Sequence, residues 1–146
     1  MNPENFIAVA RLLAANATEA HWRSAVSRAY YGAFHVALRL LHSLGVSFPK
    51  AASAHEKAAY CLQHADDIGL KEAGRKLASL REMRNAADYR LEDRRVASAA
   101  FTAMQVGEAE EIVSAIRRAE QNSTPVRAPI REYARAVLKL SVVGED

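Results

Sequence analysis

From Thr18 to Leu44 the apolar residues recur at helical spacing without a break, and Trp22, Ala25, Val26, Ala29, Tyr30, Ala33, Val36, Ala37, Leu40 and Leu44 fall on one broad face. A helix this long with so wide an apolar face has to be covered by other helices. Punctuation elsewhere supplies them. Asn2 before Pro3 suits an N-cap followed by proline at the first helical position, opening a helix through about Ala15. Thr18 with Glu19 starts the long second helix, and Gly45 suits the position just past its end. VSFPKAAS reads as a loop directed by Pro49, after which Ser53 caps a third helix to about Ala65. DDIGLK connects to a fourth helix from about Lys71, and LEDRR precedes a fifth from Val96 to about Ala119. QNSTPVRAP closes this part, and Ile130 to Leu140 is amphipathic, with Ile130, Tyr133, Ala134, Val137, Leu138 and Ser141 on one side.

Long helices joined by short loops predict an all-α fold, an antiparallel up-and-down bundle of about five helices plus a short C-terminal helix. The expected division is a bundle over residues 1–127 and a C-terminal amphipathic helix and tail over 128–146, docked in cis or on a neighbour. Glycine and proline total only ten of 146 residues and half of the chain is hydrophobic, which excludes disorder and a turn-rich β sandwich. No apolar run approaches the ~20 residues that cross a bilayer, and MNPENFIAV lacks the features of a secretory signal. A cytoplasmic protein with no membrane association is expected. The single cysteine, Cys61, rules out an internal disulfide and leaves too few thiols for a zinc site; neither metal nor cofactor is expected.

Net charge is +3, a mild basic excess compatible with an anionic partner. Fifteen of the twenty basic residues are arginine, whose planar fork favours bidentate contacts with phosphate or carboxylate; a GC-rich genome would enrich arginine equally. Behind the core-facing side of the second helix lies a strip of Ser24, Arg28, Tyr31, His35, Leu38 and His42 in place of the usual Lys and Glu. Such a strip can be a solvated face, a homodimer contact, or a surface that meets RNA or a nucleotide.

The fourth helix carries a misfit. Ala73, Leu77, Leu80, Ala87 and Leu91 form one stripe with Arg84 in its middle, and arginine does not sit on an apolar face without a partner. Asp88 is one turn on and can pair with it, the guanidinium can snorkel to water, an ion pair can cross a subunit interface, or the arginine can serve a site.

Two segments, SRAYYGAFHVALRLL (Ser27 to Leu41) and LREMRNAADYRL (Leu80 to Leu91), in this order and separated by a short helix, resemble the HEPN domain family (higher eukaryotes and prokaryotes nucleotide-binding). The likeness extends from about Asn5 to Ala119. It implies an antiparallel helical bundle that dimerises, with an Arg-x4-6-His motif in a cleft between protomers in the nuclease members. Those members are metal-independent ribonucleases of toxin-antitoxin and other defence systems, and others act with a minimal nucleotidyltransferase.

Carried over residue by residue, Arg84 matches the motif arginine and Asn85 its polar neighbour, but the histidine is missing: Tyr89 occupies the position five residues on. Imidazole suits proton transfer near neutral pH, whereas tyrosine, with an ordinary pKa near ~10, is a poor base. His35 is the leading substitute, His42 and His55 weaker ones. Arg84, Asn85, Tyr89 and His35 are therefore the candidate catalytic residues, and Arg81, Asp88, Arg28 and Tyr31 the candidate binding residues. The expected function is a dimeric protein of a toxin-antitoxin or defence system that binds RNA, a nucleotide or a partner protein at a basic cleft between subunits. The alternatives are a divergent ribonuclease toxin, in which Arg84 stabilises the phosphorane, and a structural partner of a nucleotidyltransferase-type antitoxin.

Overall fold

The longest helix, α2 (Glu19–Ser43), is the axis on which α1 (Glu4–Ala14), α3 (Ser53–Gln63), α4 (Ile68–Tyr89) and α5 (Ala99–Gln121) pack, in a computed structural model that describes residues 1–144. A sixth helix, α6 (Thr124–Ala136), lies against α3. The fold is an all-α bundle. The apolar face read from α2 is its core: Ala25, Val26, Ala29, Tyr30, Ala33, Val36, Ala37, Leu40 and Leu44 are all buried, and Trp22, half-buried, donates its indole N–H to the Asn16 carbonyl.

Local chemistry explains most helix starts. Asn2 Oδ1 accepts the Glu4 N–H at 3.1 Å, Thr18 is extended and accepts from His21, and Gly45 takes a positive φ of 86° as the chain leaves α2. Three boundaries differ from expectation. Ser53 is the first residue of α3 and not its cap, because a cap residue must itself be non-helical, whereas the chain is already helical at Ala52 and no side chain caps the start. α4 starts at Ile68 and not Lys71, since Asp67 is extended and accepts the Leu70 N–H at 2.8 Å. α5 begins at Ala99, capped by Ser98, while Val96 ends a single 3-10 turn, Arg94–Val96.

The C-terminal region departs furthest. α6 starts at Thr124 with Pro125 in its first turn and ends at Ala136, so QNSTPVRAP supplies helix where a break was expected. Val126, Ile130 and Ala134 are buried on the bundle. Ser141 is not helical: Ser141–Val142 (β2) pairs antiparallel with Val46–Ser47 (β1) inside the stretch read as a loop. Arg131, fully buried, locks this closure by donating to the carbonyls of Leu44, Val143 and Gly144 at 2.7–2.8 Å. The segment therefore docks in cis.

Close approach of α3 to α4 rests on Gly74. A Cβ there would come within 2.8 Å of the Ala59 carbonyl oxygen, so only glycine lets the two backbones meet. This contact sets where α3 delivers its side chains against the arginine segment of α4.

Candidate functional site

Ala73, Leu77, Leu80 and Ala87 are buried along α4 as the stripe requires, and Arg84 is buried among them with only 6% of its surface exposed. Leu91 leaves the stripe because α4 ends at Tyr89. The guanidinium of Arg84 lies 5.2 Å from the ring centroids of both Tyr30 and Tyr31 on α2, a cation held against two π faces. Its pairing with Asp88 is loose, Nη1 to Oδ2 at 3.9 Å, and Asp88 instead accepts a hydrogen bond from Ser27 at 3.1 Å. Among the described residues, Nε of Arg84 is buried without a hydrogen-bond partner. One turn earlier, Nε of Arg81 is in the same condition. Two buried guanidinium donors without acceptors in one small region are an uncommon arrangement.

The strip on α2 continues the site. Arg28 lies 5.2 Å from the Tyr31 ring and 5.3 Å from that of Phe6 on α1, and its Nη2 donates to Ser27 Oγ at 3.4 Å. His35 stacks on both Phe6 and Tyr31, with ring centroids 6.2 and 6.3 Å apart, and burial lowers its pKa below the ordinary histidine value. Phe6 and His35 also border a groove of about 430 Å³ beside Leu38 and His42. Arg28, His35 and Arg84 are thus linked through the Tyr30–Tyr31 rings, with Asp88 beside Arg84 and Arg81 one turn before it on α4. Asn85 is half-buried on the same helix and makes no side-chain hydrogen bond among the described residues, and Tyr89 stands 74% exposed at the end of α4, outside this cluster.

Two residues in the cluster were not among the leading sequence candidates. His55, on α3, stacks on Phe34 at 4.2 Å and shares a 2.6 Å hydrogen bond with the Tyr30 hydroxyl. Burial, then Arg81 and Arg84, press its pKa down to about 4, so the imidazole is neutral at pH 7. Tyr30 is fully buried, and burial raises its pKa against the pull of the same arginines, keeping the hydroxyl protonated. The sequence signal for this pair was the tyrosine itself: a buried Tyr hydroxyl usually finds a polar partner.

Arg23 fixes the end of α4 that carries these groups. Buried on α2, it donates from Nη1 to the carbonyls of Ala86, Ala87 and Arg90 and from Nη2 to those of Leu91 and Asp93, at 2.9–3.2 Å. It satisfies the carbonyls that a helix C-terminus leaves open.

An α2 strip of Tyr-Tyr-x-x-Phe-His packed across an α4 Arg-Asn pair matches the two segments that carried the family likeness, and the HEPN domain model matches residues 4–128. The chain belongs to the HEPN domain family. Neither the curated proteins nor the solved structures compared contained a significant match. The arginine that the likeness set against the motif, Arg84, is buried, and the imidazole bonded to the tyrosine beside it, His55, comes from α3. Among the described residues no helix is long and apolar enough to cross a membrane.

Proposed function

We propose that this HEPN domain binds RNA, taking a backbone phosphate between Arg81 and Arg84. The observation that carries the reading is the pair of buried Nε donors without acceptors. A phosphate oxygen supplies the acceptor that the folded chain withholds, in a charge-assisted bond. Arg28 adds a third guanidinium within reach of the same tyrosine, with Asp88 as the nearby acid, so the local balance is positive. Phe6 and His35 offer ring faces at the border of the 430 Å³ groove, which suits unstacked bases of a single strand.

Membership of the family supports a nucleotide-binding or ribonuclease-type activity. The toxin-antitoxin or defence setting, a homodimer with the cleft shared between protomers, and a nucleotidyltransferase-type partner extend this proposal from the same likeness. Tyr89 and Leu91, 74% and 70% exposed beside the site, offer apolar surface to a second copy. The test is fluorescence anisotropy with a labelled short single-stranded RNA at low salt in EDTA, comparing wild type with R84M and R81M. Saturable binding by wild type and its loss in both variants is expected; equal affinity in all three refutes the site. Gel analysis of the same samples reads cleavage, and cleavage that disappears in R84M would replace binding with the ribonuclease reading.

A further inference from the structure

His55 is absent from the motif region of α4, yet it is the histidine bonded to the residue beneath Arg84. Tyr30 is wholly buried, and among the described residues its hydroxyl has one hydrogen-bond partner, Nδ1 of His55 at 2.6 Å. If Nδ1 carried the proton and donated to Tyr30, the hydroxyl proton would have no acceptor in the interior, which is costly. The assignment that satisfies both groups has Tyr30 donating to Nδ1, and this places the imidazole proton on Nε2. Among the described residues Nε2 has no hydrogen-bond partner, and the ring is only half-buried. Its packing is rigid, with Phe34 stacked at 4.2 Å and Tyr30 and Tyr31 alongside at 5.7 and 6.2 Å.

We infer that His55 is an anion-contacting residue of the arginine site, a neutral Nε2–H donor held in one tautomer by Tyr30 and presented to the phosphate that Arg81 and Arg84 engage. This rests on the RNA-binding reading above and sharpens it. His55 and Arg84 pack on the same two rings, His55 at 5.7 and 6.2 Å from Tyr30 and Tyr31 and Arg84 at 5.2 Å from each, which sets the imidazole within the arginine site. An outward N–H cannot take the proton of a 2′-hydroxyl, so in this tautomer His55 contacts phosphate and does not serve as the general base.

Nitrogen-15 NMR of the histidine side chains in the full wild-type chain is expected to show His55 protonated at Nε2 and bare at Nδ1; the opposite tautomer overturns the inference. Anisotropy with the same labelled RNA then compares H55N, whose amide reaches only the Nδ1 position, with H55Q, whose amide reaches the Nε2 position. H55N should weaken binding about tenfold, the loss of one hydrogen bond to a charged acceptor, and H55Q should stay near wild type. If H55N binds like wild type while R84M does not, His55 is not a contact and the arginine site stands. If wild type binds no RNA, the proposed function falls with it, whatever the tautomer. Should H55N fail to fold, the wild-type His55 Nε2 resonance is followed as RNA is added: a shift supports the contact, and an unmoved resonance at saturation overturns it.

Discussion

Replacing Arg84 by methionine should make the protein more stable and less able to bind. Methionine keeps the length and apolar stem of arginine against Leu80 and Ala87 but removes the charge. In the native chain the guanidinium carries an orphaned buried Nε, which costs about 1–3 kcal/mol. Two terms offset this. The rings of Tyr30 and Tyr31 at 5.2 Å contribute about 0.5–2 kcal/mol, and the loose 3.9 Å pairing with half-exposed Asp88 contributes less than about 1 kcal/mol. Desolvation of the charge itself adds to the penalty, and buried ionic groups replaced by apolar residues of similar volume commonly gain about 1–4 kcal/mol. The expected net gain is about 1–2 kcal/mol, read as a rise in Tm of roughly 2–6 °C for a chain of this size. Urea denaturation and calorimetry of both proteins measure it. A variant less stable than wild type by about 1 kcal/mol or more would show that Arg84 is a strut satisfied inside the protomer and not an anion ligand.

Three further outcomes follow from the same geometry. Arg23→Met removes the side-chain donor from the buried Ala87 carbonyl and leaves that of Ala86 with only the Arg90 N–H, and should cost about 3–5 kcal/mol by urea denaturation, with loss of hydrogen-exchange protection concentrated at the end of α4. Gly74→Ala drives a Cβ to 2.8 Å from a backbone oxygen of α3 and should destabilise by about 2–3 kcal/mol; unchanged stability would mean that α3 and α4 separate freely. His55 has a folded-state pKa of about 4, below the ~6.5 of an unfolded histidine, so its contribution is complete above pH 6.5 and is lost as pH falls towards 4. The full displacement corresponds to about 3 kcal/mol at most, cut to about 1–2 kcal/mol by solvent at the half-buried ring, and H55Q should lose correspondingly less stability over that interval.

What could be read before the structure was the part dictated by local spacing. The α2 face, the Thr18 cap and the anomaly of Arg84 on an apolar stripe all follow from one helix at a time. The pairing of Tyr30 with His55 does not, because it joins helices 25 residues apart and depends on Gly74 letting α3 close on α4. Arg23 was equally hidden: on its own helix it is an ordinary arginine beside Glu19, and its task is set by carbonyls more than sixty residues away. In α6, prolines at 125 and 129 resembled a break, yet the first sits in the opening turn, where its missing N–H costs nothing, and buried Val126, Ile130 and Arg131 hold the rest. The strands Val46–Ser47 and Ser141–Val142 are two residues each, too short to show a period of two.

The proposed RNA site requires that the side chains of Arg81 and Arg84 await an anion. The side-chain Nε–H resonances of arginine test it directly, followed by proton-nitrogen NMR as short single-stranded RNA is added to the wild-type chain. The Nε–H signals of Arg81 and Arg84, assigned by R81M and R84M, should move downfield as they gain an acceptor, while that of Arg95, already bonded to Asp93, stays in place. RNA that binds at saturation and leaves both signals unmoved would show that neither arginine meets the phosphate.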